Sequence, residues 1–101
     1  VIQFNRYPHV LDLLQHYATA LQDQNILSIL QSGVSNREDA FAFSKFVWRA
    51  VDQMADDSES GTVVLGRSDN SDTLPDIYYE VSLYMESKGF ESIWEQVSDE
   101  A

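Results

Sequence analysis

Residues 40–54, Ala40-Phe41-Ala42-Phe43-Ser44-Lys45-Phe46-Val47-Trp48-Arg49-Ala50-Val51-Asp52-Gln53-Met54, decide the fold. Apolar side chains at helical spacing cover most of the circumference, leaving a thin charged stripe of Lys45, Arg49, Asp52 and, a turn later, Asp56. A helix wet on one narrow side belongs at the centre of a bundle. Phe43, Val47, Val51 and Met54 are the expected core residues, and Arg49 is spaced to pair with Asp52 at i, i+3. Just upstream, Ser35-Asn36-Arg37-Glu38 fits a capping box, in which the Ser35 hydroxyl and the Glu38 carboxylate satisfy free backbone donors. The helix is predicted to start there and to run to about Ala55.

Towards the N-terminus, Pro8 suits a first helical turn, where its missing N–H is no loss. Val10, Leu14, Tyr17 and Leu21 recur at helical spacing to about Gln24. Asn25 to Ser32 reads as a second, short helix stopped by Gly33. Towards the C-terminus, Asp56-Asp57-Ser58-Glu59-Ser60-Gly61 is a turn-forming cluster that should break the central helix. Thr62-Val63-Val64-Leu65 is β-branched and too short for a helix, and should be an extended segment or a single turn pinned to the core. Ser68 to Asp72 is a second loop. Thr73-Leu74-Pro75-Asp76 opens the next helix, with a hydroxyl cap, an early proline and a first-turn acid. Its buried side should be Leu74, Ile77, Tyr78, Val81, Tyr84 and Met85, with Tyr79, Glu80, Leu83 and Glu86 on the flank or outside. Gly89 ends it. Glu91 to about Val97 forms a last helix on Phe90, Ile93, Trp94 and Val97, and Ser98 to Ala101 should fray. The expected fold is all-α, a single domain over residues 1–101 with four to five helices and one short extended segment near 62–65.

With 101 residues, 44% hydrophobic content and twelve aromatics, the chain has enough apolar surface for one modest core. No run approaches the roughly 20 apolar residues of a membrane span. Val1-Ile2-Gln3-Phe4-Asn5 lacks a basic segment followed by an apolar one, so no signal peptide is expected and a cytoplasmic location is the default. There is no cysteine, which excludes disulfides, thiol nucleophiles and cysteine-based zinc sites.

Charge is uneven along the chain. Residues 1–49 carry four acids and four bases, whereas residues 50–101 carry thirteen acids against Arg67 and Lys88, so the net charge of −11 lies in the second half. A one-sided field of this size repels nucleic acid and anionic membrane and speeds encounter with a basic partner. The densest stretch, Asp52 to Glu80, holds eight acids against one base and contains the apolar run 62–65 and the pair Tyr78-Tyr79.

Catalytic and metal chemistry find little support. The two histidines share one helix, where His9, Asp12 and His16 span two turns and make a poor tetrahedral set. An EF-hand loop begun at Asp69 would put Glu80 at its last position, but Leu74 would stand where the sharp turn needs glycine. No nucleophile elbow, phosphate-cradling glycine loop or HExxH pattern is present. No enzyme activity, cofactor or metal is expected, and no direct nucleic-acid binding, since the cationic surface it requires is missing.

The stretch containing Met54, Asp57, Gly61-Thr62, Val63-Val64-Leu65, Ser68-Asp69-Asn70, Asp72 and Pro75 resembles the immunity proteins that neutralise DNase colicins and pyocins. The resemblance covers about residues 36–90. It implies a small acidic helical domain that inhibits a nuclease through an acidic loop and neighbouring tyrosines. Where that family places two tyrosines after the apolar run, this chain has Gly66 and Arg67, leaving Tyr78-Tyr79 to present rings from the next helix. The helix from Pro8 has no counterpart in the family pattern.

The expected function is therefore an acidic protein-interaction domain. Its partner would be a basic protein such as a nuclease-type toxin, met by Asp52, Asp56, Asp57, Glu59, Asp69, Asp72, Asp76, Tyr79 and Glu80. A mimic of nucleic acid, or a structural or adaptor subunit with an apolar interface, is the alternative. The oligomeric state is left open.

Overall fold

The apolar stretch 40–54 lies inside a helix that the other elements surround. The computed structural model describes residues 2–101, and among them five α-helices follow one another: α1 (His9–Ala20), α2 (Gln24–Ser32), α3 (Arg37–Ser60), α4 (Leu74–Ser87) and α5 (Glu91–Glu100). A single 3-10 turn, Ser71–Thr73, leads into α4. α3 packs against α1, α2, α5 and the 3-10 turn, most extensively against α5. Phe43, Phe46, Val47, Val51 and Met54 are buried, while Lys45, Arg49, Asp52 and Asp56 form its exposed stripe. Full burial of each such side chain contributes about 1.5–3 kcal/mol. Tyr17, Leu14, Ile26, Leu30, Ile77, Val81, Met85, Ile93 and Trp94 complete the same core. Trp48 on α3 stacks on Trp94 of α5 at 5.7 Å between ring centroids.

The ends of the helices depart from expectation in physically instructive ways. The N-cap of α3 is Asn36, one residue later than expected: its side-chain oxygen accepts from Asp39 N at 2.8 Å. Asp39, now the third residue of the helix, accepts in turn from the Ser35 hydroxyl at 3.0 Å. An amide oxygen caps as well as a hydroxyl, but the box is not closed: the carboxylate that reaches back is that of Asp39 in place of Glu38, and it meets Ser35, not the N–H of the cap residue. At the other end α3 continues to Ser60 and does not break at Ala55. Isolated polar residues do not end an exposed helix. Gly61 does, because it takes φ 74°, and the following Thr62 N–H closes onto Asp57 O at 2.9 Å.

α1 stops at Ala20, short of Gln24. Gln22 turns the chain with φ 56°, and the Asp23 carboxylate caps α2 by accepting from Ile26 N at 3.1 Å. Arg49 pairs with this Asp23 at 3.4 Å and not with Asp52. Thr73 does not cap α4; its hydroxyl donates to Asn70 O inside the turn. α5 holds together to Glu100, where fraying was expected from Ser98, and the Ser98 hydroxyl accepts from Trp48 Nε1 at 3.3 Å.

Two non-helical segments matter. Residues 2–5 alternate apolar and polar, so Ile2 and Phe4 enter the core while Gln3 and Asn5 face out, and Ile2 N donates to Leu30 O at 2.9 Å. Thr62–Leu65 forms no strand: Val64 makes a lone bridge to Arg67 and only Val64 of the run is buried. No helix is long and apolar enough to cross a membrane among the described residues.

Candidate functional site

The acidic stretch is built around a tight turn. Val64 N donates to Arg67 O at 2.7 Å and Arg67 N to Val64 O at 3.1 Å. Leu65 and Gly66 between them both have positive φ, 52° and 80°. That is the signature of a type I′ turn, whose usual occupants are asparagine and glycine. Glycine suits its place. Leucine does not, since a left-handed backbone costs an ordinary L-residue roughly 1–2 kcal/mol. The strained leucine is displayed, not buried: Val63 is 66% and Leu65 54% exposed.

Asn70 ties the turn down. Its buried side chain donates to Val64 O at 3.4 Å and its N–H to the Ser58 hydroxyl at 3.4 Å, so the turn, the end of α3 and the second loop form one unit. Nothing in the local sequence separates Asn70 from its polar neighbours, and its role arises only from tertiary contact. Exposed carboxylates precede and follow the turn in the chain. Asp52, Asp56 and Glu59 follow one another at i, i+4 and i+7 on the outer face of α3. Asp69 accepts from the Ser71 hydroxyl at 2.6 Å and Ser71 N at 2.9 Å, and these bonds hold its carboxyl below the usual carboxylate range. Asp72 is exposed but receives both its oxygens' bonds from Arg67, each at 2.7 Å.

The remaining expected contact residues are placed otherwise. Both oxygens of Asp57 are engaged inside the protein, by the Tyr17 hydroxyl at 2.9 Å and Gln53 Nε2 at 3.1 Å. Asp76 accepts from His9 Nε2 at 3.0 Å. These two acids fasten α1 to α3 and α4. The same contact takes His9 away from Asp12 and His16, and no cluster of metal ligands occurs among the described residues. Glu80 is 4% exposed and faces inwards, contrary to its expected place on the flank. The Tyr78-Tyr79 pair splits across α4, as neighbours about 100° apart must. Tyr78 is half-buried against Trp48 at 5.3 Å, with its phenol pushed up by burial and then by Asp52. Tyr79, 43% exposed, lies under the Arg6 guanidinium at 5.4 Å and beside Tyr7. The two rings cannot serve one contact.

The Tyr17–Asp57 bond carries a pH signature. Burial first, then the bond to Asp57 and its charge, push the Tyr17 phenol well above its ordinary value. The unfolded chain releases this proton near pH 10 while the folded one keeps it, so this stabilisation is full below about pH 10 and is lost as pH rises beyond. Tyr17→Phe is expected to lower stability by about 1–2 kcal/mol at neutral pH, the worth of a hydrogen bond to a charged acceptor. It should also make the alkaline decline shallower, leaving the share of Tyr78. Urea melts of both proteins between pH 7 and 11 check both outcomes.

A cavity of about 480 Å³ between α3 and α5, bordered by Trp48, Arg49, Asp52 and Ser98, lies apart from the turn. The Ser98 hydroxyl there is bonded to Trp94 O at 2.8 Å. Lys45, Arg49, Asp52 and Glu100 give this cavity mixed charge. The turn region offers an apolar tip beside the exposed Asp69 and Asp72. Comparison with family models, with curated proteins and with solved structures finds no match to this chain.

Proposed function

We propose that this chain is a protein-interaction domain that binds a basic protein through the Val63–Leu65 tip and the exposed Asp52, Asp56, Glu59, Asp69 and Asp72, as an immunity or inhibitor protein binds a nuclease-type toxin. The single observation that carries this reading is Leu65. A leucine in a left-handed position, on a turn that asparagine would relax, gives up stability to hold an apolar side chain in water. Strain of this kind accumulates at binding sites, where a partner recovers it. The carboxylates steer a basic partner and set register, while the two apolar side chains supply the desolvated centre. The resemblance of residues 36–90 to nuclease-neutralising immunity proteins supports an inhibitory role. Asp57, Asp76 and Glu80 leave the contact set because their carboxylates are tied to α1 or buried, whereas Asp72, though paired with Arg67, stays because its side chain is 67% exposed.

The test uses purified DNase-type toxin domains and measures DNA cleavage with and without the chain. Inhibition by the chain is expected for a cognate domain, and a broad panel of such domains cut unhindered would sink the inhibitor reading. Leu65→Asn separates strain from stability. It is expected to raise stability by about 1 kcal/mol by relieving the turn. It should also weaken binding by about tenfold, as loss of an interface anchor does. An unchanged affinity would remove the tip from the interface.

A further inference from the structure

Glu80 has no part in the acidic turn, and its surroundings differ from those of the other acids. α4 turns it inwards to 4% exposure, and its Oε1 accepts no hydrogen bond. Among the described residues no lysine, arginine or histidine lies within ion-pairing distance of it. A buried carboxylate oxygen without a donor is unfavourable, and a cation with N–H groups is what relieves it.

Glu80 lines a cavity of about 250 Å³ with Gln3, Asn5, Leu83 and Ser87. That is below the roughly 300–1,000 Å³ of small-molecule sites, and suits a single side chain. The amide oxygens of Gln3 and Asn5 can accept further N–H groups, and Leu83, 50% exposed, offers an apolar wall. Arg6 also borders the cavity, but its guanidinium rests on the rings of Tyr7 and Tyr79, at 5.6 and 5.4 Å, and leaves Glu80 unpaired.

We propose that this cavity receives the ammonium or guanidinium end of a lysine or arginine side chain from a partner protein. The head pairs with the Glu80 carboxylate, and the methylene stem lies along Leu83, as long basic side chains do when only their charge needs solvation or pairing. The site is formed by the N-terminal segment and the second half of α4. It does not depend on the acidic turn.

The test is an NMR titration of the whole chain at about 0.15 M salt, where distant charges are screened, with n-butylammonium, n-butylguanidinium and, as a neutral control, n-butanol. Saturable shifts of the Glu80 carboxyl carbon and the Leu83 methyls are expected with either or both cations, and none with butanol. Stronger shifts with one cation identify the head group. Glu80→Gln should weaken binding by about tenfold or more, the loss of a charge-assisted bond. Asp56→Lys/Glu59→Lys should leave it within about twofold, because exposed charges at a distance are screened. Three results would overturn the proposal. One is wild-type affinity in Glu80→Gln, and another is equal loss in the α3 variant. The third is binding that appears only in Arg6→Ala, which would make Arg6 the occupant. If Glu80→Gln does not fold, the wild-type titration against butanol and the Arg6→Ala arm still decide the matter.

Discussion

Phe43→Ala is expected to destabilise the protein by about 3–5 kcal/mol, the cost of removing a fully buried aromatic ring and leaving a cavity. Phe43 is completely buried on α3 and meets Tyr84 edge-on at 6.2 Å between ring centroids. Tyr84 in turn meets Phe4 at 6.4 Å, and its hydroxyl accepts from Val34 N at 2.9 Å. The lost ring therefore loosens α4, the N-terminal segment and the exit from α2 together, which places the effect at the upper part of that range. Against a typical total stability of about 5–15 kcal/mol, a third or more of the margin disappears. Equilibrium urea unfolding should show a lower midpoint at an unchanged slope. Leu83→Ala, at a half-exposed position on α4, serves as the comparison and should stay within about 0.5 kcal/mol.

The second large effect is kinetic. Reversing Asp56, Glu59 and Asp69 to lysine together is expected to slow association with a basic partner by about a hundredfold at low salt. Dissociation should change much less, because exposed rim charges act mainly on encounter. The wild-type rate should fall steeply as salt is raised, and the variant's rate should be nearly flat. Stopped-flow mixing over a range of ionic strength reads both quantities. Asp57→Asn and Asp76→Asn are the counter-experiment. Their carboxylates already serve Tyr17 and His9, so these variants should lower stability and leave the association rate almost unaltered. A rate that fell equally in all variants would mean that bulk charge, and not the turn, guides the partner.

How much of this was legible in the sequence depends on what each feature rests on. The central helix was readable because its pattern is local: Phe43, Val47 and Met54 recur on one face over many turns, and no other element has to be known. Glu80 was misplaced, although the helical wheel held the signal. It lies about 60° from Ile77, and Tyr84 falls between the two, inside the buried arc of α4. A charged side chain at that position is the exception on a buried face. Ile2 and Phe4 likewise stand out as an alternation of period two.

Other features had no local signal at all. Asn70 looks like any loop asparagine until Val64 and Ser58 are brought to it. Asp57 looks like Asp56 until Tyr17 arrives from α1. The expected contact set changes with the fold: Asp57 and Asp76 are tied to α1, Glu80 is buried, Tyr79 is turned to another flank, and Asp72, though exposed, is paired with Arg67. In the proposed contact the Val63–Leu65 tip takes their place. The apolar run had been read as a unit, whereas the pleat of an extended segment sends Val64 inwards and its two neighbours out.

The fastenings from α1 have a consequence for how the turn region moves. Asp57 and Asp76 stand on either side of it in the chain, and their partners Tyr17 and His9 lie 40 and 67 residues away, both on α1. If α1 lifts away, both anchors are released together, so opening of the acidic segment is coupled to undocking of the helix whose Asp12, His16 and Thr19 share a surface cavity with Leu65. The hydrogen-bonded amides of Val64 and Arg67 are therefore expected to exchange with solvent together with those of α1. A partner seated on the turn would slow exchange in α1 as well, so amides along the whole of that helix would report occupancy.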